Sequence, residues 1–166
     1  QACADHPAAG SALLTIMVGP SGAGKTTWIE QNIRPSQVVS SDAIRGDLCG
    51  DWRDQSRNDD VFAALHAVVT ARLRNGLPTT IDATNLRRKD RIACTELAHG
   101  GPVRYVVIDR PMDQKRRDGG WRNEITSSDG LPFDLIGKHD QTFRSQIKDI
   151  LAGDNLPNVE VLDVRQ

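Results

Sequence analysis

The sequence predicts an α/β fold in which about five parallel strands form a central layer between helices. Short apolar runs alternate along the chain with stretches of helical periodicity, which is typical of consecutive strand–helix–strand units. Polar clusters directly follow several of these runs, where the carboxyl ends of parallel strands meet. At 166 residues, the chain is long enough to bury the core of one domain of this kind.

The first half of the chain contains two predicted strands, each followed by a helix. Leu13–Val18 is an apolar, β-prone run that begins the sheet, and a helix follows over Thr26–Asn32. Gln37–Ser40 is a short second strand that leads into another helix. Apolar side chains then recur at helical spacing over Asp59–Arg74, and Asn75-Gly76 ends this amphipathic helix.

The second half continues the alternation. The remaining strands are predicted at Thr79–Asp82, Val103–Asp109 and Val159–Leu162. The remaining helices are predicted at Arg88–Ala98, which Gly100-Gly101-Pro102 stops, and from Pro132 to near Gly153. Residues 112–130 are polar, charged and contain glycines, which predicts a mobile helical lid. This order of elements suits a P-loop kinase core.

Between the first strand and its helix, Gly19–Thr26 reads G-x-x-x-x-G-K-[ST], the phosphate-binding P-loop. Its glycines let the backbone curl around an anion, so that N–H groups face the phosphate oxygens of ATP. Lys25 brings a positive charge to the β- and γ-phosphates, and Thr26 offers a hydroxyl to Mg²⁺. The predicted ATP-binding residues of the loop are Ser21, Gly22, Ala23, Gly24, Lys25, Thr26 and Thr27. The alternative is a glycine-rich turn without a ligand, which the strand–loop–helix context disfavours.

The end of the second strand carries a candidate site for the group that accepts the phosphate. Asp42 and Arg45 are spaced i, i+3, so both can face one side of a helix. A carboxylate near the P-loop can take the proton of an attacking hydroxyl, and an arginine can grip a phosphate on the acceptor. The alternative is that Asp42 only caps the helix and Arg45 lies on the surface.

The end of the third strand carries Asp82-Ala83-Thr84-Asn85, in the place of a Walker B acid. Asp82 could hold Mg²⁺ through water. Ala83 stands where motor ATPases need a water-activating carboxylate, so transfer to a hydroxyl is favoured over hydrolysis. The predicted substrate contacts of this region are Asp82, Thr84, Asn85 and Arg88. The alternative is that Asp82 and Thr84 only cap the next helix.

Two basic segments and three tryptophans are further candidates. Arginines of the lid, in the run Lys115–Asn123, could stabilise charge during phosphoryl transfer, although a charge run is usually a solvated surface. The predicted basic patch that could follow a phosphate backbone consists of Arg87, Arg88, Lys89 and Arg91, with an exposed helix as the alternative. Trp28, Trp52 and Trp121 could stack on bases, although packing is the commoner use of any one tryptophan.

Composition limits the classes of function. The net charge of −1 gives no global argument for a nucleic-acid or membrane partner, so a polynucleotide would need a local basic surface. Cys3, Cys49 and Cys94 form no CxxC pair, which argues against a zinc site or a disulfide framework and favours a cytoplasmic location. No apolar run approaches the length of a membrane span. Residues 1–11 resemble a flexible tail, which leaves residues 12–166 as a single predicted domain.

Together these motifs resemble the polynucleotide 5′-hydroxyl kinase family, in particular the kinase domains of bacterial RNA-repair polynucleotide kinase–phosphatases and of the phage enzyme. The resemblance covers roughly residues 14–150. The segments that carry it are the P-loop, Ser41-Asp42-x-x-Arg45, Arg72–Gly76, Ile81–Asn85 and Leu131-Pro132-x-x-Leu135-Ile136. The resemblance implies an adenylate-kinase-like three-layer fold and transfer of the ATP γ-phosphate to the 5′-OH end of RNA or DNA.

The resemblance also implies roles for individual residues. Asp42 would be the general base and Arg45 the contact to the 3′ phosphate of the acceptor, while Lys25 and Thr26 would hold the donor phosphates and Mg²⁺. Family lids carry R-N-x-x-R before a Val-Pro step. Without a gap, Arg122-Asn123 matches the first pair and Thr126 replaces the second arginine. With a gap, the pair is Arg117 and Arg122, so Arg122 is the first choice for the lid arginine.

The sequence leaves the acceptor open. Related P-loop kinases act on nucleosides, sugar nucleotides, antibiotics or hydroxymethylated bases with the same acid and the same loop. A nucleotide-dependent switch is the alternative from another class. A GTPase would carry an N-K-x-D guanine motif, which this sequence lacks. The sequence does not define the oligomeric state.

Overall fold

The computed structural model describes residues 12–127 and 129–166. The predicted tail over residues 1–11, which includes Cys3, lies outside these described residues. The strands are β1 (Leu14–Val18), β2 (Val38–Ser40), β3 (Thr79–Asp82), β4 (Val103–Val107) and β5 (Val159–Asp163). They form a parallel sheet in the order β2-β3-β1-β4-β5. The prediction of an α/β fold with about five parallel strands is therefore confirmed.

Helices connect the strands and cover both faces of the sheet. The helices are α1 (Lys25–Asn32), α2 (Ser41–Cys49), α3 (Asn58–Arg74), α4 (Arg88–Glu96), α5 (Met112–Arg117) and α6 (Leu135–Leu151). Short 3-10 turns lie at Pro35–Gln37, Gly120–Asn123 and Gly153–Asn155. Within the described residues, no helix is long and apolar enough to cross a membrane.

The core lies on both sides of β1, the central strand. Leu14, Ile16 and Val18 pack with apolar side chains of α3, α4 and α6 on one face, whereas Met17 packs with Ile29 of α1 on the other. Successive side chains of a strand point to opposite faces, so a strand covered on both sides is mostly apolar. This is why β1 appears in the sequence as an apolar run, interrupted within the strand by the buried Thr15.

The last helix begins later than its sequence predicts. The predicted start was Pro132, but α6 begins at Leu135, because the Asp134 side chain caps it by accepting a hydrogen bond from the Gly137 N–H at 3.0 Å. The chain just before the cap is extended, and Thr126 and Pro132 form an antiparallel bridge there. The predicted lid segment contains α5, the turn at Gly120–Asn123 and this bridge. Its mobility stays a prediction.

One member of the predicted basic patch is not on the surface. The Arg91 side chain is fully buried and forms a bidentate salt bridge with Asp154. Its Nε donates to Oδ2 at 2.8 Å and its Nη2 donates to Oδ1 at 2.9 Å. Burial raises the pKa of Asp154, but hydrogen bonds from Arg91 and Tyr105 outweigh burial and hold that pKa below its usual value. Arg91 is therefore a structural residue that ties α4 to the turn before β5.

Candidate active site

A cleft of about 910 Å³ lies at the carboxyl ends of the strands, where the polar clusters were predicted to meet. Its lining comes from the P-loop, α2, the start of α3, the segment after β3, the lid segment and the start of α6. Seven lysine or arginine side chains line the cleft against five aspartates, although the whole chain has a net charge of −1. The cleft is thus the local basic surface that an anionic substrate needs.

The P-loop has the backbone shape that its glycines predict. Gly22 and Gly24 have φ values of 80° and 93°, in the left-handed region that favours glycine. A Cβ atom on Gly22 would lie 2.7 Å from the carbonyl oxygen of Lys115, so the first turns of α5 pack directly against the loop. The Gly19 N–H also donates to the Thr84 carbonyl at 3.0 Å, which joins the loop to the end of β3.

Lys25 folds back over the P-loop. Its Nζ donates to the carbonyl oxygens of Gly19 at 2.9 Å and Pro20 at 2.8 Å. Burial lowers the pKa of Lys25 to about 8, against the opposing effect of the nearby Asp82 carboxylate. The side chain therefore carries its charge at neutral pH and holds it inside the loop.

Asp42 and Arg45 lie together in the cleft, and neither has the alternative role considered from the sequence. Ser40 is the N-cap of α2, because its side chain accepts from the Ala43 N–H at 3.3 Å. Arg45 is 4% exposed and donates from Nη1 to Asp42 Oδ1 at 2.6 Å and from Nη2 to Asn58 Oδ1 at 3.0 Å. The Asp42 carboxylate is thus free of capping and held by a buried arginine.

Arg122 reaches the same carboxylate from the lid segment. Its Nη2 lies 3.0 Å from Asp42 Oδ2, so Asp42 is held between two arginines from different parts of the chain. The Arg122 guanidinium also stacks over the Trp121 ring, with its Cζ 4.5 Å from the ring centroid. Trp121 in turn meets Trp52 edge to face at a centroid distance of 4.9 Å. These contacts join the lid segment to α2 and the loop that follows it.

The residues predicted to bind Mg²⁺ provide oxygen atoms of the kind that this ion prefers. The Thr26 side chain and the Asp82 carboxylate both line the cleft, Asp82 at the end of β3. Burial raises the pKa of Asp82, while the charge of Lys25 opposes this shift. Among the described residues, no three His, Cys, Asp or Glu side chains come together as a metal site. Mg²⁺ would therefore take its remaining ligands from phosphate and water, as is usual for this ion.

The structure brings most of the predicted site residues to the cleft. Those that line it are Ser21, Gly22, Gly24, Lys25, Thr26, Thr27, Asp42, Arg45, Asp82, Thr84 and Arg122. Ala23 is buried and packs beside α1 and β4.

Asn85, Arg88 and Arg117 are placed elsewhere. The Asn85 side chain is buried in the interior, where Nδ2 donates to the Met17 carbonyl at 2.8 Å. Arg88 points towards Asp154, with Nε 3.9 Å from Oδ1, and Arg117 is exposed and pairs with its neighbour Asp118. Among the described residues, these three do not line the cleft, although Asn85 and Arg88 were predicted to contact the substrate and Arg117 to bind ATP. Arg122, and not Arg117, is the predicted lid arginine that enters the cleft.

Two residues outside the predicted set of site residues contact the P-loop. Arg110 follows β4 and donates from Nε to the Gly22 carbonyl at 2.6 Å. Its position directly after a strand was a usable signal, because it places the side chain at the edge of the sheet where the loop lies. His139 of α6 contacts the Ser21 hydroxyl through Nδ1 at 2.7 Å. Nothing in the sequence around His139 indicates this contact, since 118 residues separate the pair.

Comparisons with known proteins agree with this geometry. A family model described as an AAA domain matches residues 14–129. No curated protein sequence matches the chain. A chain in a structure of the Pnkp1/Rnl/Hen1 RNA repair complex is 24% identical, with a TM-score of 0.66 over 82% of this chain and 45% of that chain. A chain in a second Pnkp1/Rnl/Hen1 structure is 27% identical, with a TM-score of 0.54 over 74% of this chain and 43% of that one.

A structure of a different class is also similar. A sugar kinase from Janibacter sp. HTCC2649 is 20% identical, with a TM-score of 0.56 over 92% of this chain and 86% of that chain. This chain therefore spans most of the sugar kinase but less than half of the RNA-repair chains. The similarities support a P-loop fold and do not identify a substrate.

Proposed function

The chain belongs to the AAA domain family, and from this premise we propose that it transfers the γ-phosphate of ATP to the 5′-OH end of a polynucleotide, RNA or DNA. The observation that carries the proposal is the Asp42 carboxylate. It lies in the same cleft as the P-loop lysine and is held between Arg45 and Arg122. A P-loop that only binds a nucleotide has no need for such a carboxylate.

The donor side of the reaction rests on the P-loop. Its backbone N–H groups and Lys25 hold the phosphates of ATP, so Lys25 leaves the Gly19 and Pro20 carbonyls for the phosphate oxygens. Thr26 would hold Mg²⁺, which would supply further positive charge to the phosphates. Arg122 holds Asp42 on the acceptor side of the cleft, and its guanidinium can also stabilise the charge that develops on the transferred group.

The acceptor side rests on Asp42. The acceptor hydroxyl oxygen forms a bond to the γ-phosphorus, its proton passes to the Asp42 carboxylate, and the bond between the γ-phosphorus and ADP breaks. Arg45 orients this carboxylate, because it is buried and anchored on Asn58. Transfer to a hydroxyl also agrees with Ala83, which stands in the place of a water-activating acid.

The charge of the cleft supports a polynucleotide as the acceptor. The P-loop binds the phosphates of ATP. The same cleft is lined by further cationic side chains, among them Arg87, Lys89 and Lys138. A nucleic acid carries one backbone phosphate per nucleotide, and these cationic side chains are available to bind such phosphates. The similarity to an RNA-repair protein, in part at 27% identity, points the same way.

A small-molecule kinase is the second candidate. The observation that favours it is the similarity to a sugar kinase, which has a TM-score of 0.56 over 92% of this chain. On that reading, the additional cations bind an acidic sugar or a phosphorylated small molecule. Asp42 and the P-loop keep the same roles, so variants of these residues do not separate the two candidates.

A panel of acceptors distinguishes the polynucleotide kinase from the small-molecule kinase. Labelled ATP and Mg²⁺ are incubated with 5′-OH RNA, 5′-OH DNA, a nucleoside 3′-monophosphate, gluconate and other small hydroxyl compounds. We expect label on the 5′ ends of an oligonucleotide, and none on an oligonucleotide that already carries a 5′ phosphate. If label appears only on a small molecule, the polynucleotide proposal is wrong and the second candidate replaces it.

A further inference from the structure

His139 links the last helix to the P-loop through a contact that the proposed chemistry does not use. Its Nδ1 lies 2.7 Å from the Ser21 hydroxyl oxygen and 3.4 Å from the Ser21 backbone nitrogen. A peptide N–H can only donate, so Nδ1 is an acceptor and the neutral ring carries its hydrogen on Nε2. Ser21 is 4% exposed and His139 is half-buried, so the contact is partly shielded from water at the wall of the cleft.

The surroundings of His139 keep its ring neutral. Burial lowers the pKa of His139 to about 4, and the positive charges of Lys25, Arg122 and Arg87 act in the same direction. These cations come from α1, the turn at Gly120–Asn123 and the segment before α4, so they approach the ring from three elements. A protonated ring would offer no acceptor to Ser21, whereas the neutral ring offers one at every pH near neutrality.

From this geometry we propose that His139 is a positioning residue for the donor phosphates and acts through Ser21. Ser21 directly precedes Gly22, whose left-handed backbone begins the curl of the P-loop. By accepting hydrogen bonds from the Ser21 hydroxyl and N–H, the ring stabilises the curved backbone of the P-loop in the conformation that binds a phosphate group. The inference rests on the proposed function only in taking a nucleotide phosphate as the ligand of the loop, and it is independent of the acceptor.

The test compares two replacements of His139 by their affinity for a nonhydrolysable ATP analogue with Mg²⁺, measured by titration calorimetry. His139→Asn retains an acceptor, because its Oδ1 can take the place of Nδ1, whereas His139→Leu fills similar space without one. We expect the dissociation constant to rise about tenfold in His139→Leu and less than about threefold in His139→Asn, as for the loss of one hydrogen bond. The exposed His99, changed to Leu, is the matched control and should leave the affinity unchanged.

A double-mutant cycle tests whether His139 affects the affinity for the ATP analogue through Ser21. If His139 acts through Ser21, then Ser21→Ala and the double variant Ser21→Ala with His139→Leu lose about as much affinity as His139→Leu alone. Losses that add in the double variant, or an Asn variant as weak as the Leu variant, contradict the proposal. A purely structural role would lower the melting temperature of both His139 variants without this coupling.

Imidazole nuclear magnetic resonance on the unaltered protein gives an answer even if the Leu variant does not fold. The ¹⁵N spectrum should show the Nε2–H form of His139, and the analogue should shift its Nδ1 resonance while His99 stays unchanged. A His139 resonance that does not respond to the bound analogue overturns the proposal. A protein that binds the analogue but phosphorylates no 5′-OH end contradicts the proposed function alone, whereas one that binds no nucleotide contradicts both.

Discussion

The two halves of the cleft are built in different ways. The donor half is a continuous segment, Gly19–Thr26, whose shape is set by backbone hydrogen bonds and by glycines in the left-handed region. The acceptor half consists of side chains from separate elements, with Asp42 and Arg45 on α2, Asn58 on α3 and Arg122 in the lid segment. The donor half is therefore local in sequence, and the acceptor half depends on tertiary packing.

This difference explains what the comparisons leave open. A local loop that binds phosphates through its backbone tolerates changes elsewhere, so it can serve kinases that phosphorylate many acceptors. The acceptor half consists of side chains from three separate elements, so this set of side chains can differ between kinases that phosphorylate different acceptors. We therefore expect variants of the acceptor half to lower the rate of transfer, and variants of the donor half to lower the affinity for ATP.

Asp42→Asn should separate the halves most clearly. Removing the proton acceptor should lower kcat by about 10²–10⁴-fold, the usual contribution of a general base, while the affinity for ATP is retained. The measurement is the rate of label transfer from ATP to the acceptor found in the panel, together with the dissociation constant of the ATP analogue. Full activity in this variant would contradict general-base catalysis by Asp42.

Arg122→Ala should produce the next largest effect and tests whether the lid segment belongs to the acceptor half. The variant loses the contact at 3.0 Å to Asp42 Oδ2 and the positive charge that the lid brings into the cleft. We expect kcat to fall about 100-fold, as when one preorganised donor is removed from a transition state.

Arg117→Ala is the matched control for Arg122→Ala, because Arg117 is an exposed arginine on the same segment that pairs with Asp118. Its rate should stay within about twofold of the unaltered protein, since exposed ion pairs contribute little. If Arg117→Ala is the more damaging variant, the lid adopts another arrangement during turnover, and the acceptor half described above is incomplete.

The difference between the local donor half and the acceptor half assembled by tertiary packing also explains which features could be predicted from the sequence. The P-loop, the succession of strands and helices along the chain, and the position of Asp42 at the end of the second strand follow from motifs and periodicity that act over a few residues. Asn85 was misjudged because its motif places it beside Asp82, but its φ of 49° turns the side chain towards Met17 and away from the cleft. His139 could not be found, because its role depends on a contact across 118 residues that leaves no local pattern. Side chains recruited by tertiary packing are thus the part that sequence reasoning misses.

A further expected effect concerns pH and belongs to the donor half alone. The pKa of Lys25 in the nucleotide-free protein is about 8, so Lys25 is charged at pH 7 and mostly neutral at pH 9. Phosphate binding requires the charged form, so above pH 8 the protein must take up a proton as ATP binds. We expect the dissociation constant of the ATP analogue to rise about tenfold between pH 7 and pH 9, since each unit above the pKa costs a factor of ten.

The contribution of Lys25 to stability does not account for this weakening, because that contribution changes in the opposite direction. The pKa of Lys25 is lowered from 10.5 in the unfolded chain to about 8 in the folded protein, so the unfolded state binds more protons between these values. The contribution of Lys25 to the free energy of unfolding therefore rises with pH from about 8 to 10.5, while ATP affinity falls. Calorimetry in buffers of different ionisation enthalpy should detect the proton uptake at pH 8.5. Lys25→Arg, which stays charged at all these pH values, should abolish the uptake, and an affinity that is flat up to pH 9 in the unaltered protein would contradict the prediction.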